Sequence, residues 1–297
     1  MELRCAPWAV AESVDPVGTA GSYRGFCCVE WPRPWPRDIG EAPELAVLAA
    51  EATARGVRLQ ALLPAPERGA ARVVLYRHSG DGFVRYRGTE AECPPEEVVE
   101  AALALLEGRG GHAVPAPHDV LICGHGRRDV CCGTRGTELA AALEGALGGG
   151  ARVWRTSHTG GHRFAATGIV LPEGTLWARL DADLVARVVG RRGPVADVLP
   201  HYRGCAGLGP PVVQALERAV LGEVGWDLFD CRRTGRDLGG GRVRLEVEAP
   251  GAAVQAWEAD VEVSRLLPIP ECGQPISAAR KTEAELVVKG LRVATGS

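Results

Sequence analysis

The sequence predicts an α/β chain of two tandem units, each a mixed sheet flanked by helices, with a small C-terminal antiparallel β appendix. Three observations carry this reading. Between Tyr23 and Leu106, and again between His118 and Val189, the apolar periodicity gives strand, loop, helix, strand, strand, strand, helix. That is the order of a thioredoxin-like unit, repeated in element order but not in residue identity. From Arg242 onward the apolar residues alternate in the β manner, as in Arg242–Glu248 (RVRLEVE). The 39 Gly and 21 Pro of 297 residues stay below the roughly 25–30% that marks low-complexity disorder, so they are read as turns.

Residues 1–21, with Pro7, Pro16, Gly18 and Gly21, read as irregular. Tyr23–Trp31 (YRGFCCVEW) is a strand ended by Pro32, Pro34 and Pro36, which cannot continue a ladder. Ala42–Arg55 has helical spacing and stops at Gly56. Strands are expected at Val57–Leu63, closed by Pro64 and Pro66, at Ala71–His78 and at Phe83–Arg87. Pro95–Leu106 is a helix with Glu96 and Glu97 in its first turn, where the dipole favours acids. In the second unit, strand His118–Ile122 enters Cys123 and a Gly- and Arg-rich loop, and the next helix is Thr137–Leu147. Strand Arg152–Thr156 follows, then a His- and Gly-rich loop and a hairpin of Thr167–Leu171 with Thr175–Leu180. Asp181 or Asp183 caps a helix through Val189. Pro210–Val224 is a helix, and Val254–Val263 and Glu285–Val293 are further strands of the appendix. The Pro- and Gly-rich stretch Gly108–Pro117 separates the units, giving domains 1–112, 113–226 and 227–297.

The charge balance argues against several classes. Lys and Arg number 34 against 37 Asp and Glu, a net charge of −3, with no basic footprint for nucleic acid. No apolar run approaches the roughly 18–20 residues of a membrane helix. The first residues lack a basic start followed by an apolar core, so no signal peptide and a cytoplasmic location are expected. Ten cysteines in such a chain are read as thiols, a metal site or redox chemistry before a disulfide framework.

Two loops carry the chemistry. The first is CGHGRRDVCCGTRG (Cys123–Gly136); the second is TSHTGGHRF (Thr156–Phe164). Cys123 and Cys132 are separated by eight residues, His158 and His162 by three. Both loops leave the C-terminal ends of strands, so two thiolates and two imidazoles can meet. Thiolate and imidazole suit zinc and iron–sulfur centres. Eight intervening residues are wide for a zinc knuckle, whose cysteines sit about two to four apart. Gly160-Gly161 disfavours a helical His pair and suits backbone that closely approaches a sulfide. A [2Fe–2S] cluster is therefore preferred to zinc.

The segments CGHGRRDVCCGTRG and HTGGHRFAATGIVLPEG, with GTAGSYRGFCCVEWPRPWPRD (Gly18–Asp38), resemble the sucrase/ferredoxin-like family over roughly residues 5–230. The resemblance implies a thioredoxin-like ferredoxin whose Cys-x8-Cys and His-x3-His pairs bind one [2Fe–2S] cluster. Carried over, its ligands fall on Cys123, Cys132, His158 and His162. Cys131 stands beside Cys132 and competes as a ligand; His125 is a weaker candidate. Nothing in the sequence shows the paired carboxylates of a sugar hydrolase.

Two ferric ions, two sulfides, two thiolates and two neutral imidazoles sum to zero charge. Reduction makes the site −1, so electron uptake should couple to protonation of an imidazole, as in Rieske centres. Arg127, Arg128, Arg135, Arg155 and Arg163 form either a cationic rim for an acidic redox partner or ordinary solvated arginines. A reductase and an acceptor protein are the expected partners, because no dinucleotide fingerprint follows a strand. Cys5, Cys27, Cys28, Cys93, Cys205, Cys231 and Cys272 read as core or spare thiols. Cys27-Cys28 takes roughly the place of the first-loop ligands, but without a following His pair the first unit is expected to be cluster-free. Two other functions remain open: a structural zinc scaffold, and a thiol–disulfide oxidoreductase around Cys131-Cys132. The absence of a Cys-x-x-Cys pair counts against the latter.

Overall fold

The two units form one continuous sheet. The computed structural model describes residues 3–65, 68–115 and 117–294. The chain opens on helix α1 (Cys5–Ala11). The first unit comprises β1 (Gly25–Glu30), α2 (Ala46–Ala54), β2 (Val57–Leu62), β3 (Ala71–Arg77), β4 (Arg87–Cys93) and α3 (Val98–Leu106). After the short β5 (His112–Ala113), the second comprises β6 (Asp119–Cys123), α4 (Val130–Leu143), β7 (Arg152–Thr156), β8 (Gly168–Leu171), β9 (Thr175–Trp177) and α5 (Ala182–Gly190). β10 (Tyr202–Cys205) and α6 (Pro211–Val224) follow. A separate four-stranded antiparallel sheet is made by β11 (Arg232–Gly239), β12 (Arg242–Glu248), β13 (Gln255–Pro268) and β14 (Thr282–Ala294).

Within the ten-stranded sheet, each unit repeats one pattern. β1 lies parallel to β2 and antiparallel to β3, which pairs with β4. β6 lies parallel to β7 and antiparallel to β8, which pairs with β9. The repeats meet where Leu62 of β2 faces Thr156 of β7 in an antiparallel pair. The order β10-β9-β8-β6-β7-β2-β1-β3-β4-β5 follows. Because side chains alternate along a strand, β1 feeds two cores. Cys27 and Val29 pack beneath α2 and α3, whereas Phe26 and Cys28 join the larger core that runs through β6, β8 and α6.

Several expected elements are shifted, for identifiable reasons. The N-terminal stretch holds α1, because Pro7 sits in the first turn, where its missing N–H has no helical partner to lose. The strand expected at Phe83–Arg87 lies instead at Arg87–Cys93. Its sequence is polar and only Glu90 is buried, so pairing with β3 and β5 organises it rather than an apolar pattern. β10 and β11 were not apparent from periodicity. Gly235 of β11 has no side chain because a Cβ there would collide with Val213 of α6. The C-terminal sheet packs through α6: Val213, Leu216 and Val220 share one core with Val243, Leu245, Ala259 and Val261. Among the described residues no helix is long and apolar enough to cross a membrane. Pro66, expected to close the second strand, and Ala116, within Gly108–Pro117, lie outside the described residues, as do Met1 and Glu2.

Candidate metal centre

Cys123 is the last residue of β6 and is fully buried. Its N–H donates to the Thr167 carbonyl at 3.0 Å. The expected loop to Gly136 is short, because α4 begins at Val130, seven residues before the predicted start. Asp129 caps it, accepting from the Cys131 N–H at 2.9 Å. Cys131 and Cys132 therefore ride on the first helical turn. Gly133 and Gly136 read as loop residues in sequence but serve close packing. A Cβ at Gly136 would overlap the Cys123 carbonyl oxygen, and one at Gly133 would fall 2.5 Å from the Gly126 Cα. Helix α4 thus rests directly on the backbone that presents Cys123.

The histidine loop is held from both units. Ser157 donates its N–H to Ala61 O at 2.8 Å, and the buried Gln60 amide donates to Ser157 O at 2.6 Å. Arg58 donates to the His158 carbonyl at 2.5 Å. From the other side Arg203, 1% exposed, donates to Gly160 O at 3.2 Å and to Thr19 Oγ1 at 2.9 Å. Gly160 and Gly161 have φ of +89° and +66°, and a Cβ at Gly161 would lie 2.7 Å from the Arg203 guanidinium carbon. These glycines are required by the turn and by Arg203.

Cys123, Cys132 and His158 come together, with their ligand atoms within 4.8 Å of one another. His158 Nδ1 is 3.8 Å from Cys123 Sγ. His162 stands beside this group, its ring centroid 6.1 Å from that of His158. Its Nδ1 is 3.3 Å from Asp129 Oδ2 and 3.5 Å from Cys5 Sγ. Its Nε2 makes no hydrogen bond to a described residue. The Cys132 thiol, donating to Cys123, holds the latter's thiol well below its ordinary value against the opposing effect of burial. The same hydrogen bond pushes Cys132 up. Burial lowers His158, opposed by the Cys123 sulfur. His125 is 3% exposed and neither ring nitrogen has a hydrogen-bonding partner. Burial lowers it.

Of the arginines expected as a rim, Arg127 and Arg135 are exposed and Arg128 and Arg155 half-buried. Arg163 is 3% exposed and pairs with Glu283 of β14, so it belongs to the interior. His158 opens into a cleft shared with Tyr23, Arg37, Asp38, Arg58 and Arg128.

A family model described as Sucrase/ferredoxin-like matches residues 16–204. The chain belongs to the sucrase/ferredoxin-like family. No curated protein and no solved structure matches it. The sucrase/ferredoxin-like stretch contains Cys123, Cys132, His158 and His162. Membership and the buried Cys/His group are both compatible with a metal or redox role.

Cys5 and Cys272, expected as core or spare thiols, lie outside that stretch. Cys5 and Cys272 converge with Cys131 and Asp129 into a second group, its ligand atoms within 4.8 Å of one another. Cys131 Sγ is 3.3 Å from Cys272 Sγ, and Cys272 Sγ is 3.5 Å from Cys5 Sγ. The neighbouring Cys5 thiol lowers Cys131 to about 5, against burial. Burial works to raise the Asp129 carboxyl, but bonds from His162 and Cys272 outweigh it and hold it below its ordinary value. Sequence offers no local signal for a group whose members stand 267 residues apart.

Proposed function

We infer that this is an intracellular electron-transfer protein whose [2Fe–2S] cluster is held by Cys123, Cys132, His158 and His162. The observation that supports it most is the meeting of Cys123, Cys132 and His158 at the ends of β6, α4 and β7, with His162 adjoining. The donor set fits: two neighbouring buried thiols, imidazoles, and a buried His125 whose nitrogens lack partners among the described residues. Such a cluster, when bound, supplies one-electron transfer.

The chain's own residues orient the ligands and handle the proton. Asp129, its Oδ2 facing His162 Nδ1, would favour the Nδ1–H tautomer and leave Nε2 free to act as a ligand. Arg58 holds the His158 carbonyl and Gln60 that of Ser157, so the first unit acts as a scaffold for the second unit's ligand. His158, half-buried at the cleft, would be the ligand that solvent can reach, and so the imidazole able to hold or release a proton there. Arg37, Arg58 and Arg128 outnumber Asp38 in the cleft, with Arg37 paired to Glu271, and this net positive lining suits an acidic protein as electron donor or acceptor.

The test is the metal and sulfide content of protein purified without oxygen. Iron with acid-labile sulfide and a visible absorption spectrum are expected. Zinc without sulfide would instead support a structural metal module. Replacing His158 by Cys should lower the reduction potential and flatten its pH slope; an unchanged slope removes the proton coupling.

A further inference from the structure

Beside the ferredoxin-type ligands the structure gathers a second, chemically distinct donor set. Cys5 comes from α1, Cys131 from the first turn of α4, and Cys272 from the connection between β13 and β14. Cys5 and Cys131 are buried and Cys272 is half-buried. Asp129 closes the group: the thiols of Cys5 and Cys272 point at its Oδ1 from 3.3 and 3.2 Å. We propose that Cys5, Cys131, Cys272 and Asp129 form a closed, four-coordinate structural zinc site.

Three features carry this. The set is three soft sulfurs and one carboxylate oxygen, the tetrahedral, sulfur-rich combination that selects zinc. A tetrahedron with Zn–S bonds near 2.3 Å has S···S edges of about 3.8 Å. The sulfurs at 3.3 and 3.5 Å therefore need to open by only a few tenths of an ångström. The backbone is also arranged for anionic donors. The Cys5 N–H donates to Cys272 Sγ at 3.3 Å, and the Cys272 N–H to Asp129 Oδ2 at 3.3 Å. Finally, three thiols cannot be satisfied by one disulfide, which would strand the third.

The site would staple three distant pieces of chain. Cys5 and Cys272 lie outside residues 16–204, the family-matched stretch. A zinc ion would fasten both flanking segments to the start of α4, next to Cys132. Its binding to the folded state alone would stabilise that arrangement. Asp129 connects the two groups, because its other oxygen faces His162. The proposed zinc ligands include none of the four residues proposed for the cluster.

The test measures zinc, iron and sulfide together on the full chain, purified anaerobically under reducing conditions with zinc supplied. Wild type should hold about one zinc per chain, with a zinc-edge absorption shell of three sulfurs and one light atom. Cys272→Ser should lose zinc at least tenfold yet keep iron and sulfide. A Cys123→Ser/His158→Ala variant should lose iron and keep zinc. Wild type without zinc, zinc unchanged in Cys272→Ser, iron at these thiols, or a disulfide seen as a mass lower by two hydrogens would overturn the proposal. If Cys272→Ser does not fold, the wild-type absorption shell decides, since zinc seated on Cys123, Cys132 and the histidines shows two sulfurs and two nitrogens. Failure of zinc with iron and sulfide intact defeats this inference alone; failure of iron with zinc intact defeats the cluster alone.

Discussion

The two units of the large sheet share one strand order and differ at one place. In the second, β6 ends on Cys123, paired with Thr156; in the first, β1 ends on Glu30, paired with Leu62. Leu62 and Thr156 face each other across the junction, so Glu30 is the structural counterpart of Cys123. This corrects the placement of Cys27-Cys28, which lie mid-strand and point into opposite cores. Counting on from the paired ends, His162 corresponds to Arg68. Arg68 pairs with Glu30, whose carboxylate also accepts from the Arg72 N–H at 2.7 Å. Where one unit has a thiol and an imidazole, the other has an ion pair. A scaffold fixes where a strand ends and a loop returns; the residues at those points decide whether the place can bind metal.

The comparison can be broken by moving the ligands. Cys123→Ser should abolish iron and sulfide binding, whereas Cys27→Ser should leave both unchanged; iron loss in Cys27→Ser would restore the first unit as a site. Gly136→Ala should force α4 off the Cys123 backbone, costing about 3 kcal/mol in denaturant unfolding and reducing iron content with it. Arg68→Ala leaves Glu30 buried with fewer partners. Since Arg68 is 28% exposed, about 1–3 kcal/mol is expected, below the full cost of breaking a buried pair. Iron content should not change. The smallest effect is a pH effect. Asp129, held below its ordinary value, contributes stability above about pH 4 that is lost as pH falls through its lowered folded value. Metal-free Asp129→Asn should therefore show a shallower loss of stability in acid than metal-free wild type.

Much of this comparison is legible in the residues. β7 (Arg152–Thr156) and β12 (Arg242–Glu248) fall where the alternation puts them, and Asp181 caps α5, accepting from the Leu184 N–H at 2.8 Å. What is hidden has a common cause: tertiary contact overrides local preference. Gly133 and Gly136 disguise the start of α4 because they answer to Cys123 and Gly126 across space. Polar β4 and β11 exist by pairing. Cys123, Cys132, His158 and His162 are readable as two spaced pairs, each within one loop. Cys5 and Cys272 are not, since only the folded chain brings them to Cys131.

The central claim, that the second unit's loops hold an iron–sulfur cluster, is tested most directly by one measurement. Iron and acid-labile sulfide should be counted per chain in anaerobically purified wild type and in Cys123→Ser. About two of each in wild type and neither in the variant is the predicted result. A colourless wild type, free of iron and sulfide after reconstitution, would contradict it.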